Sequence, residues 1–341
     1  MTRQPHDGLV KAALSRRENA AGALQAVLPP ALLAELDLAS LRLVEGSFVD
    51  ERLSERFTDL VYEVTLAGRP GLVCFVVYEH QSTVDPLMVV RVLVYLARVW
   101  DAWIHDHPGA TKVPPVIPVV LYHGPGPWSA ATSLREVIDL PEALLASVGD
   151  HLPALRFVLD DLAATADADL RTREAAVLGR LTFLLLKHAR SLVAGRTGSG
   201  SLEAFFASVA DLLQALPDRR DRVLVFRYII EVVDDADPRA VEEALGRAAT
   251  AELREDVMTA AEKLRQEGKL EGRLEGKLEG KLEGLLEGQR RLLLKQLGSK
   301  FGPLPADVVA RVSAADEAAL ETWAERVLSA VRLGDVWGGA E

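Results

Sequence analysis

The chain has 341 residues, of which 49% are hydrophobic and 26% charged, a balance that supports two or three folded domains and excludes wholesale disorder. One cysteine, Cys74, excludes an intramolecular disulfide framework and a cysteine-based zinc cage, and no apolar run approaches the about 18 residues of a membrane span. The first residues also lack the apolar core of a secretion signal, so a cytoplasmic protein with no membrane association is expected. The formal net charge of −11 argues against nucleic-acid binding by bulk electrostatics, yet the acidity centres on the middle of the chain and leaves the first third free to present a local basic face.

From about Gly8 to Leu28 the residues Leu9, Val10, Ala13, Leu14, Leu24 and Val27 recur at helical spacing, and Pro29-Pro30 ends the run. This predicts one helix. Extended runs rich in β-branched and aromatic residues follow at Thr58–Leu66, Leu72–Tyr78 and Val116–Tyr122. Gly68-Arg69-Pro70-Gly71 supplies turn chemistry between the first two, which predicts an antiparallel hairpin. Asp85-Pro86 reads as an N-cap with proline at the first helical position, opening a helix that runs to about Asp106. Residues 142–260 turn to Ala, Leu, Arg and Asp at helical spacing, as in Leu178, Leu181, Thr182, Leu185 and Leu186.

Glu-Gly then recurs every four residues from Glu267 to Gly288, with Leu270, Leu274, Leu278, Leu282 and Leu286 in step. At about 100° per residue the leucine stripe drifts by about 40° per repeat, so it cannot form a heptad seam. A long linker helix, and through it a homo-oligomer, is expected. The last segment carries Arg290-Arg291, a Phe301-Gly-Pro turn and an apolar series ending at Trp323 and Trp337.

The hairpin carries the chemistry. Asp59 opens its first strand and Glu79-His80-Gln81-Ser82 closes the second, so an antiparallel pairing brings Asp59 near Glu79. Side chains two apart share a face, which sets Glu79 and Gln81 on one side and His80 on the other. Two converging carboxylates are hard oxygen ligands suited to Mg²⁺ or Mn²⁺, an ion that polarises a phosphodiester and acidifies bound water. Gln81 can hold the water or a phosphate by hydrogen bonding. Arg91 and Tyr95 lie four apart on one helix face and suit a phosphate contact, with Lys11, Arg16 and Arg17 as further cations of the first third. His123 reads as a strand-end hydrogen-bonder, and His105-Asp106-His107 lacks the spacing of zinc ligands.

An acidic residue, a hairpin and Glu-x-Gln resemble the PD-(D/E)XK nuclease fold. His6-Asp7, Thr58-Asp59-Leu-Val-Tyr62, Glu79-His80-Gln81-Ser82, Asp85, Met88, Arg91, Tyr95 and Pro118-Val-Val-Leu-Tyr122-His123-Gly124 together resemble the Rpn family of YhgA-like recombination-promoting nucleases and transposases. Residues 289–337 are similar to a small domain of unknown function often appended to that family. The resemblance implies an α/β protein whose restriction-endonuclease-like core (helix, hairpin, helix, strand) occupies residues 1–141. An all-α region (142–260), the repeat helix (261–288) and a small helical domain (289–341) would follow.

It further implies a Mg²⁺-dependent or Mn²⁺-dependent DNA endonuclease in which Asp59, Glu79 and Gln81 are catalytic. Asp59, Glu79 and the His80 carbonyl would hold the metal, and Arg91, Tyr95 and Lys11 would meet DNA. Two departures stand out: Gln81 replaces the pattern's lysine, and Thr58 rather than proline precedes Asp59. The alternative reading is a catalytically inactive DNA-binding or assembly protein that keeps the fold.

Overall fold

The computed structural model describes residues 5–44, 60–69, 73–141, 144, 147–194, 200–233, 238–246 and 250–338. The chain divides into two compact units, Met1–Glu262 and Lys263–Glu341.

The first unit opens with two helices where the apolar spacing predicts one, α1 (Pro5–Leu14) and α2 (Arg17–Val27). The break falls at Arg16, whose backbone is extended and whose guanidinium forks onto Asp221, with Nη1 2.6 Å from Oδ2. A bidentate ion pair with a carboxylate that is itself buried thus redirects the chain without spoiling the apolar stripe on either side. Gly22 permits α2 to approach the backbone of Glu174 and Ala175 so closely that a Cβ would stand 2.5 Å from it. Pro29 and Pro30 end α2, and a single turn, α3 (Pro30–Leu33), leads into the sheet.

Five strands form one mixed sheet in sequence order: β1 (Leu36–Leu43), β2 (Leu60–Leu66), β3 (Val73–Gln81), β4 (Val116–Tyr122) and β5 (Val158–Asp161). The hairpin is antiparallel as its turn chemistry requires, with Leu60 opposite Tyr78 and Thr65 opposite Val73; Gly68 sits at φ +68°. β1 adds antiparallel to β2. The helix α4 (Met88–Asp106) then crosses over so that β4 lies parallel to β3, and β5 lies parallel to β4. Parallel pairing demands such a crossover, and it buries both faces of β3, where Cys74 to His80 are all buried.

Three further differences from the sequence reading stand in the first unit. β1 is not legible in the sequence because its apolar residues are interrupted by Asp37, Ser40 and Arg42. β5 lies in the stretch taken as wholly helical: it is four residues long, too short for a period to show, and is held by β4. The helix after the hairpin starts at Met88, not at Pro86. Asp85 still accepts the Leu87 amide (2.9 Å), but it serves the turn before the helix.

Beyond β5 the chain is largely helical: α5 (Asp167–Thr172), α6 (Val177–Ala194), α7 (Gly200–Ala215), α8 (Arg219–Val232) and α9 (Pro238–Leu245). Leu178, Leu181, Thr182, Leu185 and Leu186 of α6 are all buried, as their spacing predicts. The repeat lies within one helix, α10 (Ala251–Phe301), which is longer at both ends than the repeat itself. It stops where Gly302 adopts φ +85° ahead of Pro303, the left-handed exit that glycine makes inexpensive. In the second unit Leu293 and Leu297 form a core with Val308 and Val312 of α11 (Ala306–Ala314) and Leu320 and Val327 of α12 (Glu317–Ser329). Trp323 and Trp337 meet edge to face at 4.7 Å beside this core.

Candidate active site

Alternation along β3 builds two different polar clusters on the two faces of the sheet. Phe75 and Val77 pack with Tyr95 and Val99 of α4, and Glu79 and Gln81 continue that face. His80 points the other way, toward α1.

On the α4 face Glu79 is 2% exposed, at the end of the central strand. Its Oε1 accepts a hydrogen bond from the Gln81 side-chain amide and another from Arg91 Nη2 at 3.3 Å. Its Oε2 is buried and accepts from no donor among the described residues. Leaving such an oxygen unsatisfied costs about 1–3 kcal/mol, or more for a charged group, a cost that a bound cation or donor would remove. Arg91 is held from its other edge by Asp85 Oδ2 at 2.9 Å, and its Nη2 also donates to the Tyr95 hydroxyl at 3.3 Å. Burial opposes the charge of Arg91, but the hydrogen bonds to Asp85 and Tyr95 outweigh it and raise its pKa above the ordinary value. Arg91 is therefore a permanent cation here and not a base.

Asp59 lies outside the described residues, which resume at Leu60. Among the described residues no group of three or more His, Cys, Asp and Glu side chains is placed to hold a metal ion. Of a metal set built on Asp59, Glu79 and the His80 carbonyl, only Glu79 displays its side-chain donor, and the bare Oε2 suits a hard divalent cation. Lys11 is exposed on α1, across the sheet from Arg91 and Tyr95.

The opposite face gathers His6 and Asp7 of α1, His80 of β3, His123 just past β4 and Tyr228 of α8. His80 Nδ1 lies 3.2 Å from Asp7 Oδ1, and His80 Nε2 lies 2.6 Å from His123 Nε2. One proton fills the second contact. Which of the two rings donates depends on their tautomers. His6 Nδ1 meets the Tyr228 hydroxyl at 2.8 Å. Burial, reinforced by His80, lowers His6 to about 4 and, with His6 also contributing, His123 to about 2. The cluster is a hydrogen-bonded lock between α1, the sheet and α8, in which His6 and His123 are held neutral. Sequence reading missed it because His6, His80 and His123 stand 74 and 43 residues apart, and no spacing rule links them. Only their presence in the family resemblance signals it.

A family model described as "Putative transposase, YhgA-like" matches residues 4–218. The chain is 28% identical over 271 residues to the recombination-promoting nuclease RpnD of Escherichia coli O157:H7, covering 70% of this chain and 97% of that protein. It is 29% identical over 269 residues to the recombination-promoting nuclease RpnA of Escherichia coli strain K12, covering 78% and 85%. It is also 27% identical over 270 residues to the inactive recombination-promoting nuclease-like protein RpnE of the same strain, covering 78% and 83%. No solved structure gives a significant match.

Proposed function

For a chain that belongs to the YhgA-like transposase family, we propose a metal-dependent DNA endonuclease of the Rpn type, hydrolysing DNA phosphodiesters in recombination or mobile-element biology. The observation that carries this reading is the buried Glu79 carboxylate at the end of β3, with one oxygen bare among the described residues and the other held by Gln81 and Arg91. The element order supports a restriction-endonuclease-like core: helices, three antiparallel strands, a crossover helix, then a parallel strand. Asp59 directly precedes Leu60, whose partner Tyr78 directly precedes Glu79, which is consistent with a metal site shared by Asp59, Glu79 and the His80 carbonyl.

A bound Mg²⁺ or Mn²⁺ supplies Lewis acidity toward the phosphodiester and a hydroxide at neutral pH. The chain's own part is to fix the carboxylate, through Gln81, and to offer Arg91 and Tyr95 to the phosphate backbone, with Lys11 a further contact. Supercoiled plasmid incubated with Mg²⁺, Mn²⁺ or EDTA provides the test. Cleavage should require the metal and fall by about 10² or more in Asp59→Ala and Glu79→Gln. Metal-independent nicking, or nicking by both variants at the wild-type rate, counts against the site.

The second reading, a DNA-binding or assembly protein without catalysis, draws on Gln81 in the lysine position and on the similarity to a relative named as inactive. It predicts DNA binding with no cleavage in either metal. For both readings we propose that the Glu267–Gly288 repeat drives self-association. Its deletion should lower the particle mass in light scattering, whereas an unchanged mass makes it a spacer.

A further inference from the structure

The nuclease pattern asks for a lysine two residues after the metal-binding carboxylate, and Gln81 cannot supply its charge. A cation reaches Glu79 from elsewhere. Arg91 comes from the first turn of α4 and places Nη2 3.3 Å from Glu79 Oε1, the oxygen that Gln81 also holds. Its Nη1 stays on Asp85 Oδ2 at 2.9 Å, and Tyr95 backs it from the next turn. Asp85 is fixed in turn by the Leu87 amide. The guanidinium therefore has an anchor independent of Glu79. Its side chain is also 31% exposed while that of Glu79 is 3% exposed, so Arg91 joins the buried carboxylate to solvent, where a phosphate backbone would approach.

A guanidinium on Oε1 and a divalent cation on Oε2 compete for one carboxylate, because each neutralises the same charge. Resting on the nuclease reading above, we infer that Arg91 replaces the missing lysine by exchange. It neutralises Glu79 in the free protein, and when a divalent cation takes that carboxylate it turns about its Asp85 anchor to the DNA phosphate. The exchange explains how a buried acid is kept folded before metal arrives and how positive charge then appears beside the phosphate. Because the guanidinium keeps its proton, its contribution is charge stabilisation of the phosphate, and it takes no proton from the attacking water.

Opposite signs in two binding measurements on the full-length protein test this. Arg91→Gln retains hydrogen-bonding groups without the charge, and Arg91→Ala removes both. Mn²⁺ titrated calorimetrically without DNA should bind either variant about fivefold more tightly than wild type, since a competitor is gone. Duplex DNA in Ca²⁺ should bind both more weakly. In cleavage, both variants should lose about 10² in rate, and adding Gln81→Lys to Arg91→Ala should restore tenfold or more. Unchanged or weaker Mn²⁺ binding in both variants overturns the exchange, as does full cleavage by Arg91→Ala; a loss in both binding arms makes Arg91 a scaffold residue only. Wild-type protein that cleaves nothing in either metal removes the nuclease reading alone, because the Mn²⁺ and DNA arms still decide whether Arg91 and the metal exclude each other at Glu79.

Discussion

His6 and His123 show how single residues tie this fold to pH. Their pKa values lie below the ordinary 6.5, at about 4 and about 2, because burial and neighbouring imidazoles penalise the charged form. Below pH 6.5 the unfolded chain therefore takes up protons that the folded chain refuses, and stability falls as pH falls. Each histidine contributes a slope of about 1.4 kcal/mol per pH unit once its unfolded form is protonated, persisting to about pH 4 for His6 and lower for His123. Urea unfolding between pH 7 and pH 5 should show this loss in wild type and a shallower one in His6→Asn and His123→Asn. Parallel curves for all three proteins would show that the imidazoles are not held neutral. A different buried charge is fully matched: Asp160 takes both arms of Arg173 at 2.9 and 2.7 Å and the Tyr78 hydroxyl at 3.1 Å. By contrast, Glu79 Oε2 is buried with no hydrogen-bond donor among the described residues.

At the scale of elements, α10 is the least self-sufficient. It is 51 residues long, and the six repeat glycines each weaken it by about 1 kcal/mol relative to alanine. A Cβ at Gly268, Gly272, Gly276, Gly280, Gly284 or Gly288 would meet nothing within 4 Å, so crowding does not account for them. Leu270, Leu274 and Leu282 are more than half exposed, as their drift around the helix requires. Gly272→Ala with Gly276→Ala should then slow amide exchange across the repeat, each substitution adding about 0.5–1 kcal/mol of local helix stability. Exchange that stays the same would mean that the glycines already sit in a held helix. The sheet has the opposite economy: β3 is legible from residues 72–78 alone, whereas β5 exists because β4 supplies its partner.

For the whole molecule, a net charge of −11 leaves few cations to meet DNA. If Arg91, Lys11 and one or two neighbours neutralise three or four phosphates, log affinity should fall against log salt with a slope near −3, at about −0.9 per phosphate. Binding to duplex DNA across a salt series, with Ca²⁺ present and cleavage blocked by Asp59→Asn, gives that slope; a value beyond about −6 would require a basic surface other than these residues. Among the described residues no helix is long and apolar enough to cross a membrane. Composition and local pattern determined the α/β core, the hairpin, the following strand, the helical stretch, the repeat helix and the shared face of Glu79 and Gln81, because each rests on short-range periodicity and turn chemistry. Tertiary structure alone decided the split of the first helix at Arg16, the strands at 36–43 and 158–161, the capture of Arg91 by Glu79 and Asp85, and the meeting of His6, His80 and His123. Most of those features depend on partners tens to hundreds of residues away, Asp221 for Arg16 and Tyr228 for His6 among them, and no local spacing encodes a contact whose energy comes from burial and charge supplied by a distant segment; Arg91 meets Glu79 and Asp85, 12 and 6 residues away, only once α4 is packed on β3.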